Sequence, residues 1–125
     1  MSVTAIKGLT NNSSEDAIIQ DYENPDKVKN SATASPNSTA DCNLWIPWCT
    51  SVEDFNNGHY LTIETQASTH WLWQENRPGD GDFVRYSTDH YYHLNAPHVD
   101  GFANAGGDRI ATVDSSGAIS LSRTG

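Results

Sequence analysis

The chain has 125 residues, 36% of them apolar, and a formal net charge of −9. That length fits one domain with a real core. The apolar share lies below the usual ~45–50%. The seven basic residues are scattered, which leaves no electrostatic footprint for a nucleic-acid backbone. No stretch approaches the ~20 apolar residues of a membrane span. The first residues, Met1 to Gly8, lack the charged start and apolar run of a signal peptide. The compartment is therefore left open.

Ser, Thr, Asn, Asp and Gly make up the deficit in apolar residues, and they suit short strands and turns better than helices. Val3 to Leu9 alternates as a strand, and Asn11 to Asp16 carries turn chemistry. Ala17 to Tyr22 is predicted to return as the second strand of a hairpin, closed by Glu23-Asn24-Pro25-Asp26. The polar run Lys27 to Asp41 reads as an ordered loop or an edge strand. Thr50 to Asn57 reads as a loop with one helical turn near Val52 to Phe55. The sequons at Asn11, Asn12 and Asn37 read as turn residues.

Gly58 to Thr65 and Thr69 to Glu75 both alternate with period two. In the second, Trp71, Trp73 and Glu75 oppose His70, Leu72 and Gln74. The turn Asn76-Arg77-Pro78-Gly79-Asp80-Gly81-Asp82 then predicts a hairpin with Phe83 to Ser87. Asp89 to Asn95 reads as strand or extended chain, and Ala96 to Gly107 as a loop. Arg109 to Val113 and Ala118 to Leu121 form a second hairpin. The fold expected is a single all-β domain over residues 1–125 of seven to nine short strands, an antiparallel β-sandwich or jelly roll.

Cys42 and Cys49, the only two cysteines, enclose Trp45-Ile46-Pro47-Trp48. Their spacing matches neither a zinc pair nor a redox Cys-x-x-Cys. A structural disulfide is expected, placing the chain in an oxidising compartment once formed. A clamped loop so short does not hide two indoles, so at least one of Trp45 and Trp48 is expected at the surface as an aromatic platform.

Trp71 and Trp73 on one strand face read either as core or as a binding face, on which Glu75, Asn76 and Arg77 would set polar groups beside the indoles and Tyr91 a further ring. His90, His93 and His98 lie close in sequence and are candidate zinc ligands. Asp80 and Asp82 flank Gly81 as candidate calcium ligands, although the EF-hand pattern is absent. No Gly-x-Ser-x-Gly elbow supports nucleophilic catalysis. The leading expectation is a lectin-like binder of glycans, using Trp45, Trp48, Trp71, Trp73, Glu75, Asn76, Arg77 and Tyr91, with no required cofactor. Such binders often form homo-oligomers for avidity. The alternatives are a lipid-binding or toxin-like β-sandwich and a small metal-dependent jelly-roll enzyme.

Overall fold

Short stretches of alternating apolar and polar residues become ten strands among the described residues: β1 (Thr4–Asn11), β2 (Ala17–Asp21), β3 (Ser31–Ala34), β4 (Ser38–Trp45), β5 (Leu61–Glu64), β6 (Thr69–Arg77), β7 (Gly81–Ser87), β8 (Asp100–Gly101), β9 (Gly107–Val113) and β10 (Ile119–Arg123). One short helix, α1 (Val52–Asn56), precedes β5. The computed structural model describes residues 4–22, 31–77, 79 and 81–123. The expected turn at Glu23–Asp26 and the residue Asp80 lie outside the described residues. Among the described residues, no helix is long and apolar enough to cross a membrane.

The strands form two five-stranded sheets, ordered β4-β1-β9-β10-β8 and β3-β2-β5-β6-β7. Most pairings are antiparallel, but β1 runs parallel to β9 and β10 parallel to β8. The fully antiparallel pattern expected is corrected at these two places. Both sheets feed one apolar cluster: Leu9, Leu44 and Val113 from the first, and Ile19, Ile63 and Leu72 from the second. A second cluster (Phe55, Tyr60, Trp73, Cys49 and Ala96) includes residues of α1, β6 and the loop after β7.

The hairpin expected between β1 and β2 does not form. β1 pairs with β4 and β9, whereas β2 pairs with β3 and β5. Buried Asn11 explains the change of sheet. Its Nδ2 donates to the carbonyls of Glu15 at 2.6 Å and Ala34 at 2.9 Å, and its Oδ1 accepts from the Ser13 N–H and hydroxyl. The turn is thus tied to β3 of the other sheet, not folded back on β1.

The two hairpins on either side of the 88–106 segment form as expected, β6 with β7 and β9 with β10. Asp89 to Asn95 is not a strand; it is irregular and caps the second cluster. The expected loop 96–107 is partly ordered by pairing. Val84 N–H donates to Ala103 O at 2.8 Å, Val99 N–H to Val84 O at 3.0 Å, and Tyr86 N–H to Pro97 O at 3.1 Å. The free edge of β7 is therefore covered, which removes a template for aggregation. Gly101 permits the short β8, because a Cβ there would lie 2.2 Å from Leu121 O.

Candidate functional site

Alternation in β4 decides which tryptophan reaches the surface. Leu44 and Ile46 point into the core at 3% and 2% exposure, so Trp45 between them points outward and is 61% exposed. Ile46 N–H donates to Thr4 O at 2.9 Å, which keeps this end of the strand on β1. The chain then leaves the first sheet for the second. Gln74 N–H donates to Pro47 O at 2.8 Å, and Cys49 N–H donates to Gln74 O at 3.0 Å. Trp48, half-buried, bridges to Gln74 of β6.

This path corrects the expected disulfide. Cys42 packs on the main core and Cys49 lies in the second cluster, and both are free thiols. Bridged cysteines need Cα atoms ~4.4–6.8 Å apart, whereas a segment that crosses between sheets is stretched out. The Cys42 thiol donates to Ile6 O and the Cys49 thiol to Ser51 O. Burial, helped by Asp41, pushes Cys42 up to about 11. Burial also pushes Cys49 up to about 12, against the lowering effect of its bond to Ser51.

The β6 residues go to a different task. Trp73 is fully buried and meets Phe55 edge-on at 5.6 Å. Trp71 is half-buried, with its ring stacked on His90 at 5.2 Å and 8°. Glu75, 5% exposed, accepts from Trp73 Nε1 at 3.2 Å, from Arg77 Nη2 at 3.0 Å, and from the Tyr92 hydroxyl. Arg77 Nη2 also donates to His93 O at 3.0 Å. Burial and the Glu75 carboxylate hold the Tyr92 hydroxyl well above the ordinary tyrosine range. Trp73, Glu75 and Arg77 therefore form an internal clamp for the segment after β7 and present no open wall. Asn76 bonds Asp82 Oδ1 at 2.7 Å across the hairpin. Tyr91 is 69% exposed and lies on that capping segment.

The three histidines are also separated. His90 rests among Trp71, Tyr60 and Phe55, with Nε2 at 3.0 Å from the Tyr60 hydroxyl. His93 pairs with Asp89 at 2.7 Å, and His98 stacks on Phe83 at 3.9 Å. Among the described residues, no three His, Cys, Asp or Glu side chains gather to hold a metal ion. The candidate ligands His90, His93 and His98 each meet a different aromatic or carboxylate partner. Asp89, His93, Leu94 and Pro97 line an open depression of about 570 Å³. Ser87 donates to Asp89. A nucleophilic triad needs the histidine between serine and carboxylate, and here the carboxylate stands in the middle.

The outer face of the first sheet supplies what the tryptophan-rich β6 does not. The ladders align Thr39, Thr10, Thr112 and Ser120 in one row across four strands, ~4.8 Å apart. Thr10 and Thr39 share a hydrogen bond of 3.0 Å. Nearer Trp45, Lys7 Nζ donates to Asn43 Oδ1 at 2.7 Å, and exposed Asp41 follows on the same side of β4. Gly8 sits at a bulge in β1, where a Cβ would lie 2.9 Å from Ile110 Cδ1. The result is an exposed indole at the edge of a broad surface of hydroxyl, amide, ammonium and carboxylate groups. Lys7, Thr10, Thr39, Asp41 and Asn43 were not singled out from the sequence. The signal for them was the alternation Thr39, Asp41, Asn43, Trp45 against Ala40, Cys42, Leu44.

Comparison with family models, with curated proteins and with solved structures finds no match.

Proposed function

We propose that this protein is a lectin-like carbohydrate binder built as a β-sandwich, with its ligand surface on the outer face of the first sheet. The sandwich reading rests on the single core cluster to which both sheets contribute. The ligand reading rests on one observation: Trp45 is 61% exposed beside the Lys7–Asn43 pair. An indole face stacks on the C–H face of a pyranose, while amide, ammonium and carboxylate groups bond its hydroxyls. Lys7 spends one of its three N–H donors on Asn43 and keeps the others for a ligand. The hydroxyl row through Thr10 and Thr112 extends the polar surface beyond one sugar ring.

A glycan array probed with wild type and Trp45→Ala tests this directly. The expected result is a set of sugars bound by wild type and lost in the variant. Absence of binding to every glycan at high protein concentration would overturn the reading. A second reading, attachment to a membrane interface, draws on exposed Tyr91 and Leu94 in the segment after β7, at 69% and 73%. Co-sedimentation with neutral phosphatidylcholine vesicles separates the two, because the carbohydrate reading predicts that the protein stays in the supernatant.

A further inference from the structure

Arg109 and Arg123 are far apart in the chain, but the β9–β10 ladder pairs them directly. Arg109 is 3% exposed, an expensive place for a charge. Its guanidinium donates only to backbone: Nε to Phe102 O at 3.1 Å, Nη1 to Asp108 O at 2.9 Å, and Nη2 to Asn104 O at 2.8 Å and Gly106 O at 2.9 Å. Among the described residues, neither arginine forms a salt bridge. Both lie against the ring of Phe102, with Cζ at 4.5 Å for Arg109 and 5.1 Å for Arg123.

Two cations therefore meet at one end of a protein whose formal net charge is −9. They flank a depression of about 620 Å³ lined also by Asn104, Gly106, Gly107 and Asp108. Burial and the charge of Arg123 hold the Arg109 pKa below its usual value, while Asp108 acts the other way. Gly106 and Gly107 both have positive φ, 105° and 98°, so bare backbone forms part of the lining. Arg123 is exposed, and its head group is open to a ligand.

We propose that this depression binds an oxyanion group, a carboxylate or a sulfate, against the exposed Arg123 guanidinium and within the field of buried Arg109. A bound anion would help balance the two cations, neither of which forms a salt bridge among the described residues, and charge-assisted bonds to guanidinium are the strong ones. The proposal does not rest on the Trp45 reading, although the ladders set Asp108 opposite Ala5 and Ala5 opposite Trp45. The ligand chemistry has two sources, an acidic sugar or a free inorganic anion.

The test is an amide and arginine Nε–H NMR titration of the full chain, at ionic strength held constant with sodium chloride. The probes are sodium sulfate, sodium glucuronate and uncharged glucose. Saturable shifts at Gly106, Gly107 and the Arg123 Nε–H are expected with the anions and absent at those positions with glucose. Tighter glucuronate binding assigns the site to an acidic sugar, and tighter sulfate binding to an inorganic anion. Arg123→Gln is expected to weaken anion binding roughly tenfold. Asp108→Asn removes the opposing carboxylate without touching either guanidinium and is expected to tighten it. Shifts that never saturate or spread evenly over the surface would overturn the proposal. So would a folded Arg123→Gln variant that binds as wild type, or an Asp108→Asn variant that binds no better.

Discussion

Replacing Gln74 with leucine removes the polar clasp between the two sheets while keeping an apolar side chain of similar size. Gln74 is 1% exposed. Its Oε1 accepts from Thr4 Oγ1 at 2.7 Å, and its Nε2 donates to Ile46 O at 2.6 Å. Thr4 Oγ1 in turn accepts from Gly106 N–H at 2.6 Å, so three segments meet at one side chain. Leucine leaves the Thr4 hydroxyl proton and the Ile46 carbonyl without these partners. Each buried group left unsatisfied costs about 1–3 kcal/mol, and the added apolar surface returns part of that. A net loss of about 3 kcal/mol follows. For 125 residues, an unfolding entropy of ~2.1 cal/mol/K per residue turns that loss into a fall in Tm of roughly 10 °C. Urea unfolding followed by tryptophan fluorescence, with calorimetry for Tm, measures both quantities. Thr4→Val in the same background completes a cycle, and coupling between the two sites is expected. A Gln74→Leu protein within 1 kcal/mol of wild type would refute the clasp.

Both cysteines are buried or half-buried free thiols with raised pKa values, about 11 and about 12. Native protein at pH 8 should therefore react slowly with a thiol reagent and titrate two thiols only after unfolding; a Tm that drops on reduction would show a bridge instead. Glu75→Ala strands three donors, on Trp73, Arg77 and Tyr92. It should cost about 3 kcal/mol and weaken the near-ultraviolet circular dichroism of Trp73; an unchanged spectrum and stability would mean that the clamp is unimportant. His70 is buried against Tyr86, and burial holds its pKa below 6.5. The unfolded chain then binds more protons than the folded one, so this contribution to stability is complete above about pH 6.5 and declines as the pH falls towards the folded pKa. In His70→Phe, stability between pH 5 and 7 should vary less with pH than in wild type, as read by urea midpoints; an unchanged slope would count against His70 as the source.

Much of the β architecture was legible because its signals are local. The Asn76–Asp82 and Asp114–Gly117 turns each bring adjacent strands together, and both hairpins form. The pairing of β1 was not legible. Its partners β4 and β9 are distant in sequence, and the turn at Asn11 looks the same whether it folds a hairpin or switches sheets. Crowding required only that one of Trp45 and Trp48 reach the surface; strand alternation decides that it is Trp45. The cysteines misled because spacing says nothing about whether a segment curls or crosses. Trp73 and Glu75 share a face of β6 as expected, but α1 and the segment after β7 cover that face, and no local pattern announces such a cover. The Arg109–Arg123 pairing was within reach of the sequence, since both residues lie nearly equally far from the Asp114–Gly117 turn.

The central claim is that Trp45 provides the stacking surface for a sugar. Isothermal titration of the tightest-binding oligosaccharide against wild type and Trp45→Ala tests it most directly. Loss of the indole should weaken binding at least tenfold, about 1.4 kcal/mol, with an unchanged unfolding midpoint because the side chain is largely in solvent. Equal affinity in the two proteins would contradict it.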